Sequence, residues 1–366
     1  VRGAGTAVGE RRTPPRRSAT PGRRAAAGAA VACAALALGG PAARADDAPV
    51  SAFAFARDPR VRREIDLALV RKGIPVPDPK DGIPAIRRPR AVPAAEAAFL
   101  KDDDAVVGVA VGEEARAYPV RILDRHEVAN DVVGGVPLAV TYCPLCDSAV
   151  AFRRDVDLDP AREGEPPLVF GVSGYLYESD VLLYDDRTET FWAQMTGRGV
   201  VGPQTGRSLE RVPVVRTTWG AWKRARPKTT ALSTETEHGF APTTYATPVY
   251  VEYRASRQLM FPVSRLDGRL PKKTIVYGVA VGEDATAIPA DALPKAGESA
   301  TLAIGERSLR LTTDAATGAP RVEVSRPGAP ETFDEVAAVR AYWFAWAAFH
   351  PGTRLAALPR ASEEGR

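Results

Sequence analysis

From Ala105 onward the chain is a succession of short apolar runs broken by Gly, Asp and Pro: AVVGVAV (105–111), EARAYPV (114–120), VPLAVTY (136–142), AVAFRR (149–154), LVFGVSG (168–174), VLLYD (181–185) and ETFWAQM (189–195). Runs of this length, rich in Val, Tyr and Phe and separated by turn residues, predict strands joined by hairpins. Helical periodicity is confined to Thr218–Arg226 and to Glu331–Phe349, with one or two further turns over Ile65–Val70. The expected fold class is therefore mainly β with a few helices (α+β), its sheets mostly antiparallel.

Within this pattern a segment recurs. Val106-Val-Gly-Val-Ala-Val-Gly-Glu-Glu-Ala-Arg-Ala-Tyr-Pro119 reappears as Val276-Tyr-Gly-Val-Ala-Val-Gly-Glu-Asp-Ala-Thr-Ala-Ile-Pro289. Trp219, Trp222, Pro227 and Thr229 are echoed in the same order and spacing by Trp343, Trp346, Pro351 and Thr353. Two related halves are expected from this internal repeat, 98–232 and a shorter 268–358, with 233–267 as connector. Residues 46–97, rich in Pro and charge, form an N-terminal extension.

Charge is distributed unevenly over the 366 residues, whose formal net charge is +4. Residues 1–45 carry eight Arg and one Glu, with no Lys or Asp, which leaves 41 basic and 44 acidic residues for the remainder. The rest of the chain is weakly acidic, so no nucleic-acid partner is expected. The Arg-rich stretch precedes an apolar run, 25–40, and then Pro-Ala-Ala-Arg-Ala45, an order of segments expected for a signal peptide (1–45) cleaved after Ala45. The expected localisation is exported, periplasmic or extracellular, and no run reaches the roughly 20 apolar residues of a membrane span.

Cleavage there would remove Cys33 and leave Cys143 and Cys146, in Thr141-Tyr-Cys-Pro-Leu-Cys-Asp147, as the remaining cysteines. A disulfide across so short a loop removes little unfolded-chain entropy, about 2 kcal/mol before strain. The spacing instead suits two soft ligands on one metal, or a dithiol that exchanges electrons. An inert staple is the remaining alternative. A structural zinc site made of cysteines alone is excluded, since no second pair exists. His126 is the expected third ligand or general base, with His238 and His350 behind it, and Asp180 and Asp185 are the expected acidic donors, with Asp186 beside them. The cofactor such a set would take is a single transition-metal ion, zinc or copper, and the partner a small molecule or a redox protein. Ser173 lacks the spacing of a nucleophile elbow, and no Walker, dinucleotide, CxxCH or HExxH motif occurs.

The strings His126-Glu-Val-Ala-Asn-Asp131, Gly134-Gly-x-Pro-Leu-Ala-Val-Thr-Tyr-Cys-Pro-Leu-Cys146, Phe170-Gly-Val-Ser-Gly174 and Tyr184-Asp-x-Arg-Thr188 together resemble the DUF3179 family, exported bacterial and archaeal proteins of unknown function. The resemblance spans Val92 to Leu355. It implies a domain covering both halves, with Cys143, Cys146 and the 126–131 segment as the positions most like a family site. It implies no reaction. Two functions of different class follow: an exported protein with a Cys-x-x-Cys metal-binding or thiol redox site, or a non-catalytic binding module whose cysteines form a structural disulfide and whose aromatic residues line a ligand groove.

Overall fold

The structure is a computed structural model that describes Val1, Gly3 and residues 60–158 and 164–356. The expected signal peptide and its cleavage point lie outside the described residues, apart from Val1 and Gly3, of which nothing structural follows.

Strand accounts for 40% of the chain and helix for 14%, so the mainly β expectation holds. Among the described residues there are four sheets. The longest runs, in spatial order, through Arg354–Leu355, Asp284–Pro289, Ile275–Val281, Val339–Tyr342, Ser148–Arg153, Val136–Cys143 and Val128–Val133, with Arg211–Val212 also pairing onto Ser148–Arg153. A five-stranded sheet contains Arg71–Lys72, Phe170–Tyr177, Asp180–Asp185, Phe191–Ala193 and Arg198–Val201. A second five-stranded sheet orders Val214–Thr218, Ala105–Val111, Glu114–Pro119, Thr230–Leu232 and Ala91–Pro93. The fourth is a meander of Ser299–Ile304, Arg307–Thr313, Pro320–Arg326 and Ala329–Val336. Pairing between named strands is antiparallel except where Thr230–Leu232 joins Glu114–Pro119 and Arg354–Leu355 joins Asp284–Pro289.

The hairpin Ala105–Val111/Glu114–Pro119 turns at Gly112, whose φ is +57, and Ile275–Val281/Asp284–Pro289 turns at Gly282 with φ +61. Each is followed later in the chain by a helix that lays an indole on the hairpin's glycine. A Cβ on Gly108 would lie 2.4 Å from the Trp222 ring, and one on Gly278 would lie 2.2 Å from the Trp346 ring. Each indole N–H donates to a threonine, Trp222 to Thr229 at 2.8 Å and Trp346 to Thr353 at 2.9 Å. These rings are packed core.

Helices depart from expectation in more than one place. Thr218–Arg226 appears as Trp219–Ala225, started by the Thr218 side chain, which accepts from the Ala221 N–H. Of Glu331–Phe349, only Trp343–Phe349 is helical. Ala329–Val336 is an outer strand of the meander and Val339–Tyr342 a strand of the long sheet. The Ala-rich pattern was overridden by edge pairing: residues 329–336 align on Pro320–Arg326, and Phe333 lies against the Arg310 guanidinium at 4.3 Å. A helix that was not expected, Val120–His126, begins directly after Pro119 without a side-chain cap. Ile65–Val70 supplies one 3₁₀ turn, Leu67–Leu69, capped by Asp66.

Candidate metal centre

Two hairpin tips meet in the largest core cluster. The first joins Val136–Cys143 to Ser148–Arg153 through Pro144-Leu145-Cys146-Asp147, with Cys143 opposite Ser148. The Cys146 N–H donates to the Cys143 carbonyl at 3.3 Å, closing a turn that Pro144 favours, and Asp147 takes a left-handed φ of 48° to rejoin the strand. The second tip joins Phe170–Tyr177 to Asp180–Asp185 through Glu178-Ser179. Both turn residues have positive φ, 51° and 64°, the requirement of a two-residue hairpin turn ordinarily met by Asn-Gly.

Cys143, Cys146 and Asp180 are brought together there, their ligand atoms within 4.8 Å of one another. The two cysteines approach to 3.6 Å as free thiols. Cys146 Sγ lies 3.3 Å from the Ser179 carbonyl oxygen, and the Cys143 sulfur is 4.0 Å from it. Relative exposures of 1%, 0% and 1% for Cys143, Cys146 and Asp180 leave no solvent contact. The cysteine turn is clamped from outside: Tyr342 N–H donates to Cys146 O at 2.8 Å and Tyr253 OH to Leu145 O at 2.8 Å. Opposite, the Ser264 N–H donates to Glu178 at 2.8 Å.

The electrostatics are those of buried acids lacking a cation. Burial raises both thiols, Cys146 well above the usual range, and Asp180 and Glu127 add to it at Cys143. Burial pushes Asp180 up to about 7, against hydrogen bonds from Met195 N–H at 2.8 Å and from the thiols. Its other oxygen is buried with no hydrogen-bonding nitrogen or oxygen partner. Glu127, next to His126 and in a left-handed conformation, is pushed up to about 8 by burial and then by Asp180 and Asp124. Asp180 and Glu127 form no ion pair among the described residues. Arg254 is committed to Asp124 at 2.5 Å, and Arg340 is committed to Asp147.

The structure does not bring His126 or Asp185 into this cluster. Both His126 ring nitrogens are taken, Nδ1 by the Pro84 carbonyl at 2.6 Å and Nε2 by Tyr245 OH at 2.7 Å, and the ring packs with His238, Phe240 and Tyr245. Asp185 accepts from Arg187 N–H, Thr188 N–H, Thr188 Oγ1 and Trp192 Nε1, at 2.6 to 3.1 Å, organising the turn after its strand. Asp186 caps Val169 N–H at 2.9 Å, and Arg187 pairs with Glu165 at 2.8 Å rather than with a neighbouring aspartate. His238 meets the Ala85 carbonyl at 2.9 Å, and His350 stacks on Trp346 at 4.0 Å. Ser173 is bound to the Leu182 carbonyl at 2.5 Å. Sequence reasoning named Glu127 only as part of the 126–131 segment and passed over Ser179, although Ser179 stands beside Asp180.

Fold and site together define a mainly β protein with a buried cluster of two thiols and one carboxylate at the contact of two hairpins. A family model, described as a protein of unknown function (DUF3179), matches residues 80–353, and the chain belongs to that family. No curated protein and no solved structure matches the chain.

Proposed function

We propose that Cys143, Cys146 and Asp180 bind one transition-metal ion, and that this centre is the functional core of an exported protein. The observation that carries the reading is the convergence of three potentially anionic donors within 4.8 Å, fully buried and without a cation. Two thiolates and a carboxylate out of water would each cost several kcal/mol unpaired. A divalent cation reverses that balance, and on binding it displaces the two thiol protons to solvent. Two sulfurs with one oxygen suit zinc; copper(I) would favour an all-sulfur set. Three protein donors leave a further coordination position, with the Ser179 carbonyl and Glu127 close by. The proposed export agrees with this centre, because thiols in an oxidising compartment stay unpaired when a metal holds them.

A dithiol that cycles to a disulfide is the second reading, favoured by the 3.6 Å approach of the cysteines. Burial and raised thiol pKa values speak against it, since exchange requires an accessible thiolate. Elemental analysis of the full chain purified without chelator tests the two. About one zinc per chain, lost in Cys143→Ser and in Asp180→Asn, supports the metal centre. Metal-free protein whose two thiols form a readily reduced disulfide supports the redox reading instead.

We further propose that 98–232 and 268–358 are related halves joined by 233–267 and preceded by an extension over 46–97. The shared strand pairings, the two glycine and indole contacts and the two Trp-to-Thr hydrogen bonds support this.

A further inference from the structure

Away from the thiols, a cavity of about 320 Å³ opens where three sheets adjoin: the edge strand Val214–Thr218, the strand Val339–Tyr342 and the last two strands of the meander. Val214, Trp222, Val322, Val336 and Ala338 give it an apolar wall, and four arginines line it. Two of the four are committed to carboxylates, Arg340 to Asp147, and Arg321 to Glu335 at 3.1 Å and Glu323 at 3.5 Å.

Arg216 is different. It forms no ion pair among the described residues, donates one long bond of 3.3 Å to the Thr217 carbonyl, and has its Nε buried without a partner. The carboxylates that act on it at longer range, Asp124 and Asp147, are held by Arg254 and Arg340. Asp314, which also lines the cavity, uses its Oδ1 to accept from Ala316 N–H, Thr317 N–H and Thr317 Oγ1 at 2.7 to 3.1 Å. Arg226, exposed beside the Trp222 ring at 5.9 Å, adds a second cation that forms no ion-pair contact among the described residues and meets Asp314 only at longer range. A partly desolvated guanidinium with an unused donor is costly unless an anion meets it, and its planar fork suits a phosphate or carboxylate.

We infer that this cavity binds a small organic anion, an apolar body carrying a phosphate or carboxylate, with Arg216 meeting the charge and Trp222 and Val336 flanking the body. The volume is at the lower end of small-molecule sites, which fits a single-ring or short-chain ligand. This inference does not rest on the metal reading.

Isothermal titration of the full chain with phenyl phosphate and with phenylacetate tests it, the two probes distinguishing the head group. Inorganic phosphate supplies the charge alone and benzyl alcohol the ring alone. At least one aryl anion should bind about tenfold or more tighter than either control. Arg216→Gln should weaken it about tenfold or more, as loss of a charged hydrogen bond does, and exposed Arg226→Gln by a few-fold. Ala338→Trp, which fills the cavity and keeps every charge, should abolish binding while the unfolding transition persists. Should Arg216→Gln fail to fold, the other two variants decide. No binding of either aryl anion at millimolar concentration, or undiminished affinity in the folded variants, overturns the inference.

Discussion

His126→Gln separates a structural histidine from a metal-binding one. In the native protein the ring is buried, engaged at both nitrogens and held neutral, its pKa pushed down to about 4 from 6.5, first by burial. A depressed histidine pKa means that the unfolded chain takes up the proton first as pH falls, so stability is complete above 6.5 and declines toward 4. At 1.36 kcal/mol per tenfold change in proton affinity, the full span is on the order of 3 kcal/mol. Between pH 7.5 and 5 the loss is about 2 kcal/mol. Asp124, Glu127 and Asp180 have raised values and act in the opposite sense, favouring the fold at lower pH. They are retained in the variant, so the difference between variant and wild type isolates the histidine. Urea unfolding should show His126→Gln less stable at pH 7.5, through lost stacking, with a pH dependence that differs from wild type by about 2 kcal/mol between 7.5 and 5. Its metal content should be unchanged. Parallel pH dependences would refute the neutral, buried assignment, and loss of metal would return His126 to the ligand set.

Gly278→Ala should destabilise by about 1–3 kcal/mol, because its Cβ would press into the Trp346 ring; a change below about 0.5 kcal/mol in urea unfolding would show that the indole is not seated there. Ser179→Gly should raise stability by about 1 kcal/mol, since it relieves a left-handed φ of 64° and removes a buried hydroxyl without a partner. A loss of stability in the metal-loaded protein would mean that the hydroxyl serves the centre.

Short β-favouring runs separated by turn residues made the β architecture legible, and the Gly-Val-Ala-Val-Gly-Glu strings marked two of its hairpins. What misled was composition where tertiary pairing decides. The stretch from Glu331 has enough alanine to look helical, yet its place beside Pro320–Arg326 makes it a strand. Of the candidate site, the cysteine pair was readable because a short loop must bring its residues near each other, and Asp180 was readable only as one of several acidic donors. Which of the expected donors would join the cysteines was not readable by chemical type. His126 is the better ligand on intrinsic affinity, but its helix directs it toward Pro84 and Tyr245. Asp185, five residues beyond Asp180, lies at the far end of the same strand, where the turn's own N–H groups claim it.

The hairpin that carries Asp180 explains why the carboxylate, and not a histidine, faces the sulfurs. A two-residue turn fixes strand register, so Tyr177 must pair with Asp180, and the residue after the turn is held within one backbone step of the tip. Glu178 and Ser179 occupy positive φ where glycine would be easier, and backbone strain of this kind persists where surrounding contacts over-determine it. Here those contacts are the Ser264 N–H on Glu178 and the Cys146 sulfur on the Ser179 carbonyl. A looser turn would let Asp180 slip by a residue and put Val181 against the thiols. The site thus depends on backbone geometry at two tips more than on any one side chain, and the buried acids beside it are tolerable in proportion to the positive charge that joins them.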